Sequence, residues 1–244
     1  MSFLDFPSQK DWERIYQQSL CSSFNAQLDP LLKSLKLGDG INNLARSIEL
    51  RELVWQLHYR EVDVSKSYVL LCYYFEQGIP DDEWYKSPGE NESSIQYYPH
   101  FEKKHFIIKD WFDYYSDTFY YKLFSAWDTI GHLLNVYFSL NINVERVYFP
   151  NAVSGLKQIE TELWKKLDNI LNSSEYQKAK ILRNNVTHNY LPSSAGLAIT
   201  TKRGGKTITT GLGIREYTTS KEIMNNVLKI LGLFQETVSA VTER

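Results

Sequence analysis

The chain has 244 residues, 43% of them hydrophobic and 23% charged, with a net charge of −2. This is the composition of a soluble globule able to bury a core, and the near-neutral charge supplies no global attraction to nucleic acid. No apolar run approaches the roughly 18 residues that span a membrane, and Met1 to Pro7 lacks the basic and apolar segments of a signal peptide. The cysteines, Cys21 and Cys72, have no metal-like spacing. They fit reduced thiols in a cytoplasmic protein, and no metal or cofactor is expected.

Ser8-Gln9-Lys10-Asp11 is a capping box with Asp in place of Glu. It predicts a helix with Trp12, Ile15, Tyr16, Leu20 and Phe24 at helical spacing. Asp29-Pro30 suits an N-cap and first helical position, so a new helix is expected there. Gly38 and Gly40 end it. A long helix follows from about Ile41 to Gln77, with Leu44, Ile48, Leu53, Trp55, Leu57, Val62, Tyr68 and Leu71 among its apolar positions. The run from Tyr68 to Phe75 is apolar on all sides and is expected to be buried. Gly78 to Pro99, with Pro80, Pro88 and Gly89, reads as a surface loop and the best domain boundary.

A very long helix is predicted from Glu102 to Leu140, roughly 55–60 Å if unbroken. Residues 97 to 138 hold 15 of the 35 aromatic residues, a density that suits core packing between helices more than base stacking. Ser125, Asp128, His132 and Asn135 form one polar stripe on this helix. Either the stripe faces solvent or it is buried facing the helix of Arg183 and His188 and needs partners. Pro150-Asn151 opens a further helix with Val153, Leu156, Ile159, Leu163, Leu167 and Leu171 inward. Ser174-Glu175-Tyr176-Gln177 reads as the capping box of the next helix, which Pro192 stops. Leu197 to Leu212 alternates and is rich in threonine, with Gly204-Gly205 at the turn, the pattern of a β-hairpin. Thr219-Ser220-Lys221-Glu222 caps a last helix, with Ile223, Val227, Ile230, Leu231, Phe234 and Val238 inward.

Charge is distributed unevenly along this order. Tyr176 to Arg215 holds seven cations, Lys178, Lys180, Arg183, Lys202, Arg203, Lys206 and Arg215, and no Asp or Glu. The remaining 20 cations stand against 29 anions. A basic segment on an acidic chain is the footprint of a phosphate-binding face. Within it, Arg183-Asn184-Asn185-Val186-Thr187-His188 ends a helix. In a last turn the exposed carbonyls favour a cation, and an imidazole there holds a proton near neutral pH, as a general acid must. Five residues at helical spacing leave the Arg183 and His188 directions roughly 140° apart, within the swing of a long arginine. A helix-capping histidine beside a surface arginine is the bland alternative.

This motif resembles that of the HEPN superfamily, Arg-x4-His on a helix. Tyr190 extends it to Arg-x4-His-x-Tyr, a form similar to the toxin branch. The longer chain pattern is similar to a clostridial-type HEPN family of bacteria. The resemblance implies an all-α fold. A HEPN-like helical core spans 101–244, with a hairpin at about 196–214 inserted before the last helix. An N-terminal helical extension, 1–100, packs on the core. It further implies a metal-independent endoribonuclease that acts as a toxin or defence effector. Arg183 and His188 would be catalytic, supported by Asn184, Asp128 and Tyr190, with Asp128 orienting Arg183 or His188. Lys178, Lys180, Lys202, Arg203 and Lys206 would bind RNA. The implied partners are RNA, a second copy of the chain facing it across a groove, and a nucleotidyltransferase antitoxin that modifies Tyr190.

Metallohydrolase chemistry has less support. His100 and His105 flank Glu102 without a ligand spacing, and His58 and His132 stand alone. The rival is a non-catalytic HEPN-like module that binds nucleotide, RNA or a protein partner.

Overall fold

The computed structural model describes residues 6–38, 40–90, 95–188, 191–204 and 207–243. Helix α1, Gln9–Gln18, starts at the Ser8 capping box, where the Ser8 side chain accepts from the Asp11 N–H and the Asp11 carboxylate accepts from the Ser8 N–H. The chain then leaves the α-helix. Leu20–Ser23 is a 3-10 turn, and α2 runs Phe24–Ser34. Pro30 therefore lies inside α2 and does not open it. The helix begins earlier because Phe24 is buried edge-on against Phe234, 5.6 Å between ring centroids, and Leu31 is buried two turns on.

Helix α3, Ile41–Glu76, and helix α4, Lys103–Phe138, have 36 residues each and pack along one another as the spine of the molecule. At 1.5 Å per residue each is about 54 Å long. The buried stripe of α3 is Leu50, Val54, Leu57, Val64, Tyr68 and Leu71, whereas Leu44, Ile48 and Trp55 face outward. In α4, Phe112, Phe119 and Trp127 are fully buried, and Tyr74 of α3 stacks on Trp111 and Tyr115. The aromatic density of α4 thus mostly builds core. Arg46 reaches across to donate to the Val136 and Tyr137 carbonyls, each at 2.8 Å, and so satisfies groups that the end of α4 leaves open. Between the two helices the loop carries a two-residue antiparallel ladder, β1 Tyr85–Lys86 on β2 Gln96–Tyr97.

The segment after α4 does not form one helix. It divides into α5, Phe149–Gly155, a 3-10 turn over Leu156–Gln158, and α6, Thr161–Asn172. Ile159 falls in the break and is 54% exposed, while Leu156, Leu163 and Leu167 are buried as expected. Both the Ile159 and Glu160 N–H groups turn back to the Leu156 carbonyl, which ends the first piece. Helix α7 runs Ser174–His188. Its cap is Ser173, one residue earlier than the sequence pattern indicates: Ser173 Oγ accepts from the Tyr176 N–H at 3.3 Å, and Gln177 is drawn off to the Leu171 carbonyl at 2.6 Å. Strands β3, Leu197–Gly204, and β4, Thr207–Ile214, form the hairpin, with Gly204 paired to Thr207. Gly204 is thus the last residue of β3 and leads into the connection, of which 205–206 lie outside the described residues.

Helix α8, Ser220–Thr242, begins at the Thr219 capping box and buries Ile223, Val227, Ile230, Leu231, Phe234 and Val238. The result is an all-α bundle with a hairpin inserted before the last helix. No helix among the described residues is long and apolar enough to cross a membrane.

Candidate active site

Helix α7 packs on α4, α6 and α8 through Tyr176, Ala179 and Leu182, all buried and spaced three apart. This spacing leaves Lys178 and Lys180 exposed and Arg183, Asn184 and Asn185 half-buried at the edge. The inner face fixes how Arg183 sits. Its guanidinium carbon lies 5.9 Å from the centroid of the Phe124 ring, a cation–π contact. Phe124 rests on Tyr176 and Trp127, with centroids at 5.4 and 5.5 Å, and Trp127 Nε1 donates to Thr237 Oγ1 of α8 at 3.0 Å. Arg183 therefore stands on an aromatic shelf tied to the last helix. Its Nη1 donates to Asn184 Oδ1 at 3.1 Å.

Asp128 is one turn along α4 from Phe124. Burial raises its carboxyl, and the Phe149 N–H and the charges of Arg183 and His132 lower it. The hydrogen bond is to Asp128 Oδ1 at 3.0 Å and caps α5. Gly131 makes that approach possible, since a Cβ there would meet the Phe149 backbone at 3.0 Å. The polar stripe is thus largely a buttress. Asn135 brackets Ile142 with its side chain, accepting from the N–H at 3.1 Å and donating to the carbonyl at 3.2 Å. Tyr176 is buried, and its phenol is pushed up first by desolvation, then by Asp128, against a lowering from Arg183.

His188 closes the described part of α7, and residues 189–190 ahead of Pro192 lie outside the described residues. The side chains of His188, Lys202 and Arg203, and all of Tyr190 and Lys206, lie outside the described residues.

Beside the motif is a groove of about 500 Å³, with Lys178, Ile181 and Asn185 on one wall and Leu191, Pro192 and Arg215 on the other. The segments that lead into and out of the hairpin are cross-tied there: the Thr218 N–H donates to the Pro192 carbonyl at 2.8 Å, and the Arg215 N–H to the Gly196 carbonyl at 2.9 Å. They are also anchored to the segment between α3 and α4, which the sequence patterns marked only as a surface loop and domain boundary. Asp81, 1% exposed, accepts from Tyr217 Oη at 2.7 Å and from the Ser220 N–H and Oγ at 2.9 and 2.8 Å. The Ala195 N–H donates to Tyr98 Oη at 3.1 Å. Buried Lys109 and half-buried Asp113 pair at 2.8 Å on α4, with Lys109 over the Tyr217 ring. The i,i+4 spacing of Lys109 and Asp113 was a legible signal for a pair; the partners of Asp81, more than 130 residues away, had no such signal.

Two histidines outside the motif have structural partners. His100 pairs with Glu83 at 2.6 Å, and His105 Nδ1 accepts from the Glu102 N–H at 3.0 Å at the start of α4. Among the described residues no three of His, Cys, Asp and Glu gather where they could hold a metal ion. Cys21 and Cys72 are buried free thiols, raised by desolvation to about 11 and about 12.

A family model described as Cthe2314-like HEPN matches residues 54–243. The chain belongs to that HEPN family. The match begins inside α3 and takes in α4 to α8, so it covers the motif helix, the hairpin and the half of α3 buried on the spine. No curated protein and no solved structure matches the chain.

Proposed function

We propose that this HEPN protein is a metal-independent endoribonuclease that cuts RNA by attack of a 2′-hydroxyl on the adjacent phosphate. The observation that supports this most is the guanidinium of Arg183, steadied by Phe124, Asn184 and the Asp128 charge, on the helix that carries His188. Cleavage needs a base for the 2′-hydroxyl, an acid for the departing 5′-oxygen and positive charge for the phosphorane. His188 would move the protons, Arg183 would neutralise the phosphorane, and Asp128 would keep Arg183 oriented. One Arg–His pair is sparse for these roles. Two copies, facing each other as a homodimer in the cytoplasm, would supply a base and an acid on opposite sides of the phosphate.

The basic hairpin would hold RNA backbone, which gives affinity without sequence choice. Tyr190, two residues past His188, would be the point of control: nucleotidylation by a paired antitoxin would put negative charge where RNA phosphate must bind.

The test is cleavage of a labelled RNA by the purified full chain in EDTA. The expected products end in 2′,3′-cyclic phosphate, a 2′-deoxy substitution at the cut site blocks the reaction, and His188→Ala lowers the rate by about 10² to 10⁴. Sedimentation at micromolar concentration is expected to show a dimer. A protein that binds RNA and never cuts it makes the non-catalytic module the better account.

A further inference from the structure

A second concave site lies away from the motif, built by α1, the 3-10 turn after it, the start of α2 and the middle of α3. One residue of its wall is Glu61, which is 1% exposed within the buried stripe of α3, between Leu57 and Val64. Burial pushes this carboxyl up to about 8. Among the described residues no group hydrogen-bonds to its Oε2. Buried polar atoms nearly always have partners, and an apolar side chain would fill this position without the desolvation cost. Glu61 lines a cavity of about 240 Å³ together with Trp12, Tyr16, Cys21 and Phe24. The polar neighbours are engaged elsewhere: Ser65 Oγ donates to the Glu61 backbone carbonyl at 2.8 Å, and Lys66 at the rim turns to Asp63 at 3.8 Å.

We propose that this cavity binds a small organic cation, an amine whose ammonium pairs with the Glu61 carboxylate and whose alkyl part lies against Trp12, Tyr16 and Phe24. Three observations select this class. The carboxyl is acidic, buried and without a donor to its Oε2, and an opposite charge offsets most strongly the cost of ionising it there. The walls are aromatic, and ring faces attract cations. The volume is below that of sites for drug-sized ligands, which limits the occupant to a few heavy atoms. Binding ionises Glu61 and releases its proton to solvent. The titratable groups that face it are Tyr16 and Cys21, both raised by burial, and Lys66 at the mouth, so near neutral pH the released proton is that of Glu61.

Calorimetry on the full chain at pH 7 tests this with n-butylamine, 1-butanol and butyrate. The amine is expected to bind with release of a proton, seen as a dependence of the heat on the buffer's own ionisation enthalpy. The alcohol and the carboxylate are expected not to bind. Glu61→Gln keeps the side-chain volume and the capacity to donate a hydrogen bond but removes the charge, and should weaken amine binding roughly tenfold to a hundredfold. His188→Ala should leave amine binding unchanged, which separates this site from the RNA chemistry. Equal binding of alcohol and amine, or unchanged affinity in Glu61→Gln, overturns the proposal. So does an absence of amine binding while Glu61 still titrates near its raised value, since the carboxyl is then simply hydrated.

Discussion

The guanidinium of Arg183 lies over the ring of Phe124, 5.9 Å from the centroid, and through that ring it is coupled to Trp127 and the last helix. A planar cation suits this shelf and a compact ammonium does not. Arg183→Lys should therefore cut the single-turnover rate of RNA cleavage by about tenfold or more while shifting the melting temperature little, since a half-exposed cation–π contact contributes only about 1 kcal/mol. Phe124→Leu should lower the same rate with Arg183 intact. A Phe124→Leu enzyme as fast as wild type would show that the shelf does not orient the arginine.

The cations of the hairpin are expected to act on affinity and not on chemistry. Replacing Lys202, Arg203 and Lys206 together with alanine should weaken RNA binding and reduce the slope of log affinity against log salt by roughly 0.7 per lost contact to single-stranded RNA. The rate at saturating RNA should stay the same. Binding isotherms at several salt concentrations decide this, and an unchanged slope removes the hairpin from the RNA surface.

Asp81 carries three donors at once, from Tyr217 and twice from Ser220, and is itself fully buried. Asp81→Ala leaves those donors without their acceptor at the entry to α8. A loss of about 3–5 kcal/mol is expected, read as a lower urea midpoint with an unchanged slope. The hairpin roots hang on the same anchor, so limited proteolysis should cut near residues 191–218 sooner in the variant.

Stability should fall as pH rises through the neutral range. The Glu61 carboxyl is raised to about 8 from an unfolded value of 4.5, so the folded state keeps a proton that the unfolded chain releases. The contribution is complete below pH 4.5 and is lost as pH climbs through about 8. Its ceiling is on the order of 5 kcal/mol. Asp113, raised to about 6, and Asp117, raised to about 7, act in the same direction. Glu61→Gln cannot ionise, so its melting temperature should exceed that of wild type at pH 8 by more than at pH 5. Parallel melting curves at the two pH values would contradict a buried neutral Glu61.

Local chemistry accounts for the features that are legible in the amino-acid order. The capping boxes at Ser8 and Thr219, the start of the motif helix near Ser174, and the alternation from Leu197 onward each lie within a few neighbouring residues. Backbone hydrogen bonding decides such features over one or two turns, so the sequence carries them openly. The motif of Arg183 and His188 belongs to the same class, since its spacing and its place at a helix end are local. Where two local signals competed, the sequence did not say which would prevail. Pro30 tolerates a helix interior because Phe24 and Leu31 are buried on either side of it, and Ser173 takes the cap from Ser174 because Gln177 is drawn to Leu171.

The rest was decided by contacts between residues far apart in the chain. Phe124 comes under Arg183, Asp128 caps Phe149, Asp81 holds Tyr217 and Ser220, and Glu61 faces the aromatic walls from α1 and α2 only after the helices have packed. Helical spacing says which side of a helix a residue occupies, but not which helix will lie against that side or at what height. Burial then changes the chemistry itself: Glu61, which no local pattern singles out, becomes a group that holds its proton near neutral pH. The sequence by itself determined the helical class, the hairpin and the motif. Only the tertiary structure, by removing water from particular side chains and bringing distant ones into contact, decided what supports Arg183 and what surrounds Glu61.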